Sequence, residues 1–117
     1  MVPEIELKCR LAAFQQELRG AELDGALLVQ KVDYYYFSGT MQLSFLFIPA
    51  AGEALLIVLK DWRRACNESA LDNIVPCTST KEVPVLVAAH YGRPPRSLGM
   101  EFDVLPVKEY FRYRELF

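Results

Sequence analysis

Two short apolar runs joined by a turn-rich linker constrain the fold of this chain most strongly. They are residues 43–48 and 54–59, and the five residues 49–53 between them suit a hairpin loop. A third apolar run, residues 26–29, follows Asp24-Gly25. Short runs without polar alternation are typical of strands that are covered on both faces. We therefore expect the hairpin to pair antiparallel at the centre of a sheet.

The segment from Pro3 to Gly20 has the pattern of an amphipathic helix. Pro3 suits the first helical turn, and Gly20 suits a left-handed cap after the last turn. Apolar residues recur between them at every third or fourth position, namely Leu7, Leu11, Phe14 and Leu18. This spacing gathers the apolar side chains on one face. The pattern therefore predicts one helix that packs against the sheet.

Three more helices are predicted after the hairpin. Asp61 can cap the first of them, which runs to Ser69. Pro84 fits the first turn of the second, and Gly92 is expected to end it. The third begins at Pro106 and carries apolar residues to the last position of the chain. We interpret such an ending as that of a fragment whose last turn is covered by another segment.

Two further strands complete the predicted sheet. Residues 74–77 form a brief strand that Pro76 pushes toward an edge, because proline cannot donate a ladder hydrogen bond. Residues 97–102 form the last one. Helices alternate with strands along the chain, while the hairpin requires antiparallel pairing. The predicted fold class is therefore α/β with a mixed sheet in a layered arrangement.

Composition narrows the function classes. A chain of 117 residues suits one domain, and its net charge of -2, with scattered lysines and arginines, gives no basic face for nucleic acid. No run approaches the ~20 apolar residues of a membrane span. Three cysteines without close pairing argue against a disulfide framework. We expect a cytoplasmic protein with no nucleic-acid or membrane partner.

Few residues in the sequence suit catalysis. His90 is the only histidine, which excludes a two-histidine metal motif. Glu101 and Asp103 end the last predicted strand and, with Asp24 as a third acid, could hold Mg²⁺ in a carboxylate-metal phosphodiesterase. The competing interpretation is that Asp103 begins a turn or caps the final helix while Glu101 packs at the sheet edge. No catalytic residue and no metal ligand is assigned.

The aromatic run at residues 34–37 has two interpretations. Its rings could form a stacking platform for a base or a proline ring. A single helical turn that packs the rings into the core explains the run equally well. The run lies between the apolar segment 26–29 and the predicted hairpin.

The order of several motifs resembles the N-terminal domain of the creatinase/prolidase family, which includes Xaa-Pro aminopeptidases and Xaa-Pro dipeptidases. The family's Asn-x-x-Tyr-Leu-[Ser/Thr]-Gly corresponds here to residues 33–39. The other matches are Arg10-Leu11, residues 23–29, Asp61-Trp62-Arg63, residues 98–103 and Leu105-Pro106.

The resemblance implies a three-layer domain with a mixed sheet of about six strands, helices on both faces and a ribonuclease H-like motif. It also implies that residues 1–117 form a single non-catalytic N-terminal domain, truncated before a C-terminal pita-bread catalytic domain. That second domain would hold two divalent metal ions (Mn, Co or Zn) on Asp, Asp, His, Glu and Glu ligands. We expect no cofactor in this fragment.

In such relatives this domain makes dimer contacts and narrows a neighbouring catalytic cleft, so that only short proline-containing peptides enter. The resemblance therefore implies a homodimer, and the candidate residues for the gating or interface surface are Tyr36, Thr40, Met41 and Gln42. They belong to the aromatic turn and to the loop expected to project from the sheet. An ordinary surface loop is the competing interpretation. A stand-alone α/β module that binds a ligand or a protein remains the alternative function.

Overall fold

The computed structural model describes residues 3–100, which form four α-helices, one short 3-10 helix and five strands. In chain order these are α1 (Glu4–Gly20), β1 (Gly25–Leu28), α2 (Lys31–Ser38), β2 (Ser44–Pro49), β3 (Leu55–Val58), α3 (Trp62–Glu68), β4 (Ile74–Pro76), the 3-10 helix (Thr80–Glu82), α4 (Val83–Tyr91) and β5 (Leu98–Gly99). The helix predicted from Pro106, the end of the strand predicted at residues 97–102, and Glu101 and Asp103 lie outside the described residues.

The strands form one mixed sheet in the order β4-β3-β2-β1-β5. The central strand β2 pairs antiparallel with β1 and with β3, which confirms the predicted hairpin. The outer strands β5 and β4 run parallel to their neighbours β1 and β3. Pro76 lies on the edge strand β4, where its missing N–H costs no pairing inside the sheet. The mixed α/β class is thus confirmed, with five strands in the described range.

Side chains of the three inner strands alternate between two cores, one on each face of the sheet. One face packs against α1, α2 and α3, and the other packs against α4. The first core contains Leu18, Ala26, Leu28, Tyr34, Leu46, Ile48, Ala54, Leu56, Val58 and Ala65. The second contains Leu27, Phe45, Phe47, Leu55, Ile57, Cys77, Val83 and Val87. The expected three layers, with helices on both faces, are therefore present.

The predicted glycine cap of α1 is wrong. Gly20 is the last helical residue, and Glu22 takes the left-handed conformation instead, with a φ of 59°. The Glu22 N–H donates to the Arg19 carbonyl at 3.1 Å, and the Leu23 N–H donates to the Leu18 carbonyl at 3.0 Å. This is a Schellman motif, and Leu23 packs on the core that contains Leu18. The packing of the half-buried Leu23 on this core therefore favours a turn at Glu22 over a glycine cap at Gly20.

The predicted side-chain cap at Asp61 is also wrong. Asp61 precedes α3 with a φ of 60°, and its side chain makes no capping hydrogen bond. Capping residues normally have extended backbone, which places the side chain over the first helical N–H groups. The Trp62 indole N–H instead ties the start of α3 to β4 through the Ile74 carbonyl, at 3.0 Å.

The predictions for α4 are confirmed. Pro84 lies in its first turn, and Gly92 ends it in the left-handed conformation with a φ of 96°. No helix within residues 3–100 has the length and apolar character needed to cross a membrane.

Candidate functional site

The candidate site consists of α2 and the loop that follows it, residues 39–43, which we call the α2 loop. Gly39 ends α2 in the left-handed conformation, with a φ of 83°. Its N–H donates to the Tyr35 carbonyl at 2.8 Å, which closes the last turn of the helix. The chain then crosses to Ser44, where β2 begins. The loop therefore lies between two elements whose positions are set by the core.

The aromatic run on α2 is divided between core and surface. Tyr34 is buried, and Phe37 is half-buried against the ring of Phe14, with centroids 5.0 Å apart. Tyr35 and Tyr36 are 41% and 50% exposed. Core packing therefore explains two of the four rings, and the other two face solvent.

Helix α1 fixes the exposed ring of Tyr36. The Arg10 guanidinium lies 4.3 Å from the centroid of this ring, and Arg10 Nη1 donates to the Tyr36 carbonyl at 2.6 Å. Glu6, one turn earlier on α1, accepts from Arg10 Nε at 3.3 Å. A cation over an aromatic face is attracted by the negative face of the ring. Tyr36 is therefore a surface residue with a fixed position.

Thr40 does not reach the surface, in contrast to the expectation for this loop. Its side chain is fully buried and donates from Oγ1 to Glu68 Oε1 at 2.7 Å. The same hydroxyl accepts from the Gln42 N–H at 3.2 Å. The half-buried Gln42 also donates from Nε2 to Glu68 Oε1 at 3.3 Å. Met41, between them, is 49% exposed, so of the three consecutive residues Thr40, Met41 and Gln42 it exposes its side chain most.

These hydrogen bonds lower the pKa of Glu68. The largest cause is the hydroxyl of Thr40, followed by the side chain of Gln42, with smaller contributions from the Met41 backbone and from Arg64. Each of these groups favours the charged carboxylate over the protonated acid. The loop conformation therefore stabilises the ionised carboxylate of Glu68.

Two exposed residues of α2 extend the predicted surface. Val32, which is 80% exposed, and Tyr35 lie three positions apart and therefore share a helix face. Both line one shallow hollow together with Lys31 and Met41. We call Val32, Tyr35 and Met41 the α2 patch. The residues predicted from sequence for this surface did not include Val32 and Tyr35, although their spacing is the signal that could have identified them.

A cleft of about 810 Å³ opens beside this patch. It lies among the N-terminal half of α1, the end of α2 and the end of α3, and its lining comprises Pro3, Glu6, Arg10, Tyr35, Gly39, Met41, Asn67 and Glu68. The charged groups on this lining are two carboxylates and one guanidinium. The lining of the cleft is therefore mixed: charged groups lie on it beside the apolar surface of Tyr35 and Met41.

The other candidate residues have structural partners. Asp24 accepts from the Arg96 N–H at 2.7 Å and lies 3.5 Å from Arg93 Nη1, and the first of these contacts is the largest cause of its lowered pKa. His90 Nε2 lies 2.6 Å from the Glu53 carbonyl oxygen. Within residues 3–100, no group of three or more His, Cys, Asp or Glu side chains could hold a metal ion.

One family model matches most of this chain. The family model described as the creatinase/prolidase N-terminal domain matches residues 10–117. A search of the curated proteins finds no match. Among solved structures, the chain is similar to the N-terminal domain of the cytoplasmic peptidase PepQ from Mycobacterium tuberculosis H37Rv, with 18% identity and a TM-score of 0.77. That match covers 92% of this chain and 84% of the other.

Two longer structures are similar over only part of their length. A prolidase from Pyrococcus furiosus has 23% identity and a TM-score of 0.72, and the match covers 87% of this chain. A Xaa-Pro dipeptidase from Bacillus anthracis has 20% identity and a TM-score of 0.75, with 92% of this chain covered. The match spans 29% of the first protein and 31% of the second. At these identities the likeness establishes a shared fold.

Proposed function

The chain belongs to the creatinase/prolidase N-terminal domain family, and from that membership we propose that it is the non-catalytic N-terminal domain of a metal-dependent Xaa-Pro peptidase. In this proposal a C-terminal pita-bread domain follows residue 117 in the complete protein and carries the two divalent metal ions (Mn, Co or Zn). The proposal is supported by the family match and by the likeness to about a third of each of two peptidases. The substrates would be proline-containing peptides.

We further propose that the α2 patch makes the dimer contact and narrows the catalytic cleft of the neighbouring subunit. The observation that carries this proposal is that Val32, Tyr35 and Met41 expose apolar side chains around one hollow. Contiguous apolar surface on a folded domain commonly marks a contact site.

The backbone beneath the patch is held in place on both sides. Arg10 of α1 fixes Tyr36, and Glu68 of α3 fixes the loop at Thr40 and Gln42. A surface that is already ordered loses little conformational entropy when a partner binds, so more of the contact energy contributes to affinity. A rigid obstacle can also exclude long peptides by size, which a flexible loop would do poorly.

The proposed location is the cytoplasm. Cys9 and Cys66 are exposed and unbonded, and Cys77 is buried and unbonded. Unpaired surface thiols suit a reducing compartment. The similar PepQ domain comes from a peptidase described as cytoplasmic.

The test begins with the reading frame beyond the codon for Phe117. We expect it to continue into a domain that supplies the five metal ligands, and the complete protein to cleave Xaa-Pro dipeptides with Mn²⁺ while residues 1–117 alone do not. Met41→Asp in the complete protein should raise the rate for longer Xaa-Pro peptides relative to dipeptides. A frame that stops at residue 117, or a selectivity unchanged by Met41→Asp, would contradict the proposal.

The alternative is a stand-alone binding module, which the cleft beside Tyr35 favours. Its polar lining and apolar wall have the mixed character of a small-ligand site. A ligand that binds only the folded state raises the melting temperature in a saturable way. Saturable stabilisation of residues 1–117 by one compound of a metabolite panel, lost in Tyr35→Ala, would favour this function over the first.

A further inference from the structure

The end of α3 contacts the end of α2 and the α2 loop through two consecutive residues. Ser69, which directly follows α3 and is buried, donates from its hydroxyl to the carbonyl of Ser38, the last residue of α2. Glu68, the last residue of α3, accepts from Thr40 at 2.7 Å and from the Gln42 side chain at 3.3 Å. The conformation of residues 39–43 therefore depends on a helix that lies almost thirty residues further along the chain.

Thr40 connects this contact to the loop backbone. Its hydroxyl donates to Glu68 and accepts from the Gln42 N–H at 3.2 Å, while its own N–H lies 3.3 Å from the Ser38 hydroxyl oxygen. A hydroxyl has one proton to donate. The Glu68 carboxylate, by accepting that proton, leaves the oxygen lone pairs of Thr40 free for the Gln42 N–H. Orientation of the Thr40 hydroxyl is therefore coupled to the backbone just after Met41.

We propose that Glu68 is a positioning residue that holds the α2 loop in the conformation presenting Met41, and that it thereby sets the peptide-length selectivity of the peptidase. The second part rests on the proposed function, in which Met41 narrows the cleft. Glu68 contacts no substrate in this proposal and acts through Thr40, Gln42 and the Met41 backbone. Loss of its acceptor oxygens should release the loop while α2, the sheet and α3 keep their packing.

The first experiment measures amide hydrogen exchange in the 117-residue chain. Glu68→Ala should speed exchange at Met41 and Gln42 by roughly three- to tenfold, which corresponds to the loss of one ordinary hydrogen bond. Exchange at Gly39 should be unchanged, because its N–H donates to Tyr35 within α2. Glu68→Gln should stay close to the unsubstituted chain, since the amide oxygen can still accept from Thr40.

Arg64→Ala is the matched control. Arg64 Nε lies 3.8 Å from the other oxygen of Glu68, and two-thirds of the Arg64 side chain is exposed. Its removal takes away a charge partner of Glu68 without touching Thr40 or Gln42, so exchange in the loop should not change. Equal exchange in Glu68→Ala and the unsubstituted chain would overturn the proposal. So would acceleration that extends to Gly39 and the strands, because it would mean that Glu68 stabilises the whole domain.

The second experiment uses the complete peptidase and compares kcat/KM for an Xaa-Pro dipeptide with that for a longer Xaa-Pro peptide. Glu68→Ala should lower this ratio and leave kcat for the dipeptide unchanged, with Glu68→Gln restoring the ratio. If Met41→Asp changes the ratio and Glu68→Ala does not, the selectivity role of Glu68 is wrong. If neither substitution changes it, the proposed gating function is wrong, and the exchange experiment still decides whether Glu68 positions the loop.

Discussion

Gly25 and Gly20 provide a matched pair of substitutions with opposite expected effects on stability. Gly25 begins β1 and lies opposite Pro49 of β2. A Cβ atom at this position would lie 2.8 Å from a ring carbon of Phe47 and 2.9 Å from the carbonyl oxygen of Ile48. The Phe47 ring is fully buried, and the Ile48 oxygen belongs to the central strand. Neither neighbour can move away without disturbing the pairing of β1 with β2.

The magnitude follows from these distances. Forcing a methyl group into a packed core costs typically about 1–3 kcal/mol. At Gly20, the last residue of α1, a Cβ would meet no atom within 4 Å. Alanine in a helix is more stable than glycine by roughly 0.5–1 kcal/mol, because glycine loses more backbone entropy on folding. The two variants should therefore differ in unfolding free energy by about 1.5–4 kcal/mol.

Urea unfolding of the 117-residue chain, followed by circular dichroism, measures both values. In a thermal melt, each kcal/mol corresponds to a shift of roughly 4 °C in Tm for a domain of this size. Gly25→Ala should unfold at lower urea and Gly20→Ala at slightly higher urea, both with the same m-value. A Gly25→Ala variant as stable as the unsubstituted chain would refute the close packing of β1 on Phe47. A loss at Gly20 equal to that at Gly25 would show that the effect of alanine does not depend on the space available.

Two other predictions concern association and pH. Val32→Asp should change the free energy of unfolding by no more than about 0.5 kcal/mol, because the side chain is exposed. In sedimentation, the complete protein with this substitution should be a monomer, whereas the unsubstituted protein should be a dimer. A dimer that persists in the variant contradicts the proposed interface. The pKa values of Asp24 and Glu82 are lowered mainly by the backbone N–H groups of Arg96 and Thr78. Their contribution is complete above the ordinary carboxyl pKa of about 4 and is lost as pH falls through the lower folded values. Stability should therefore decline below about pH 4, and Asp24→Asn should flatten that decline in urea titrations at several pH values.

The sheet was predictable from sequence because its signals are local. The runs at residues 43–48 and 54–59 are apolar at nearly every position that the two cores need, and residues 49–53 are the right length for their loop. Every residue of the two strands is close in sequence to the turn, which sets the register of their pairing. Pro76 likewise indicates an edge strand, because a proline has no N–H to donate to a neighbouring strand in any sheet. The hairpin pairing and the edge position of β4 were therefore correct.

The predictions for both helix caps are wrong because the residue preferences on which they rest are small in free energy. Gly20 and Asp61 were assigned from preferences worth about 1 kcal/mol. Full burial of a leucine side chain stabilises by about 1.5–3 kcal/mol, and the half-buried Leu23 gains part of this where it packs on the core beyond the turn at Glu22. A local preference can be read from the sequence at a single position. The packing contribution depends on which distant residues surround that position, and at the end of α1 it favours the turn at Glu22.

The conformation of α2 and of the α2 loop depends even more on residues that are distant in sequence. Four consecutive rings surround α2 completely, so their spacing does not indicate which side faces the core. That choice is made by Phe14 of α1, which packs on Phe37 and leaves Tyr35 and Tyr36 outside. Burial of Thr40 is similarly possible only because Glu68 supplies an acceptor for its hydroxyl, since a buried hydroxyl without one costs free energy. Glu68 therefore determines whether Thr40 can be buried, and through Thr40 it determines how Met41 is exposed to solvent.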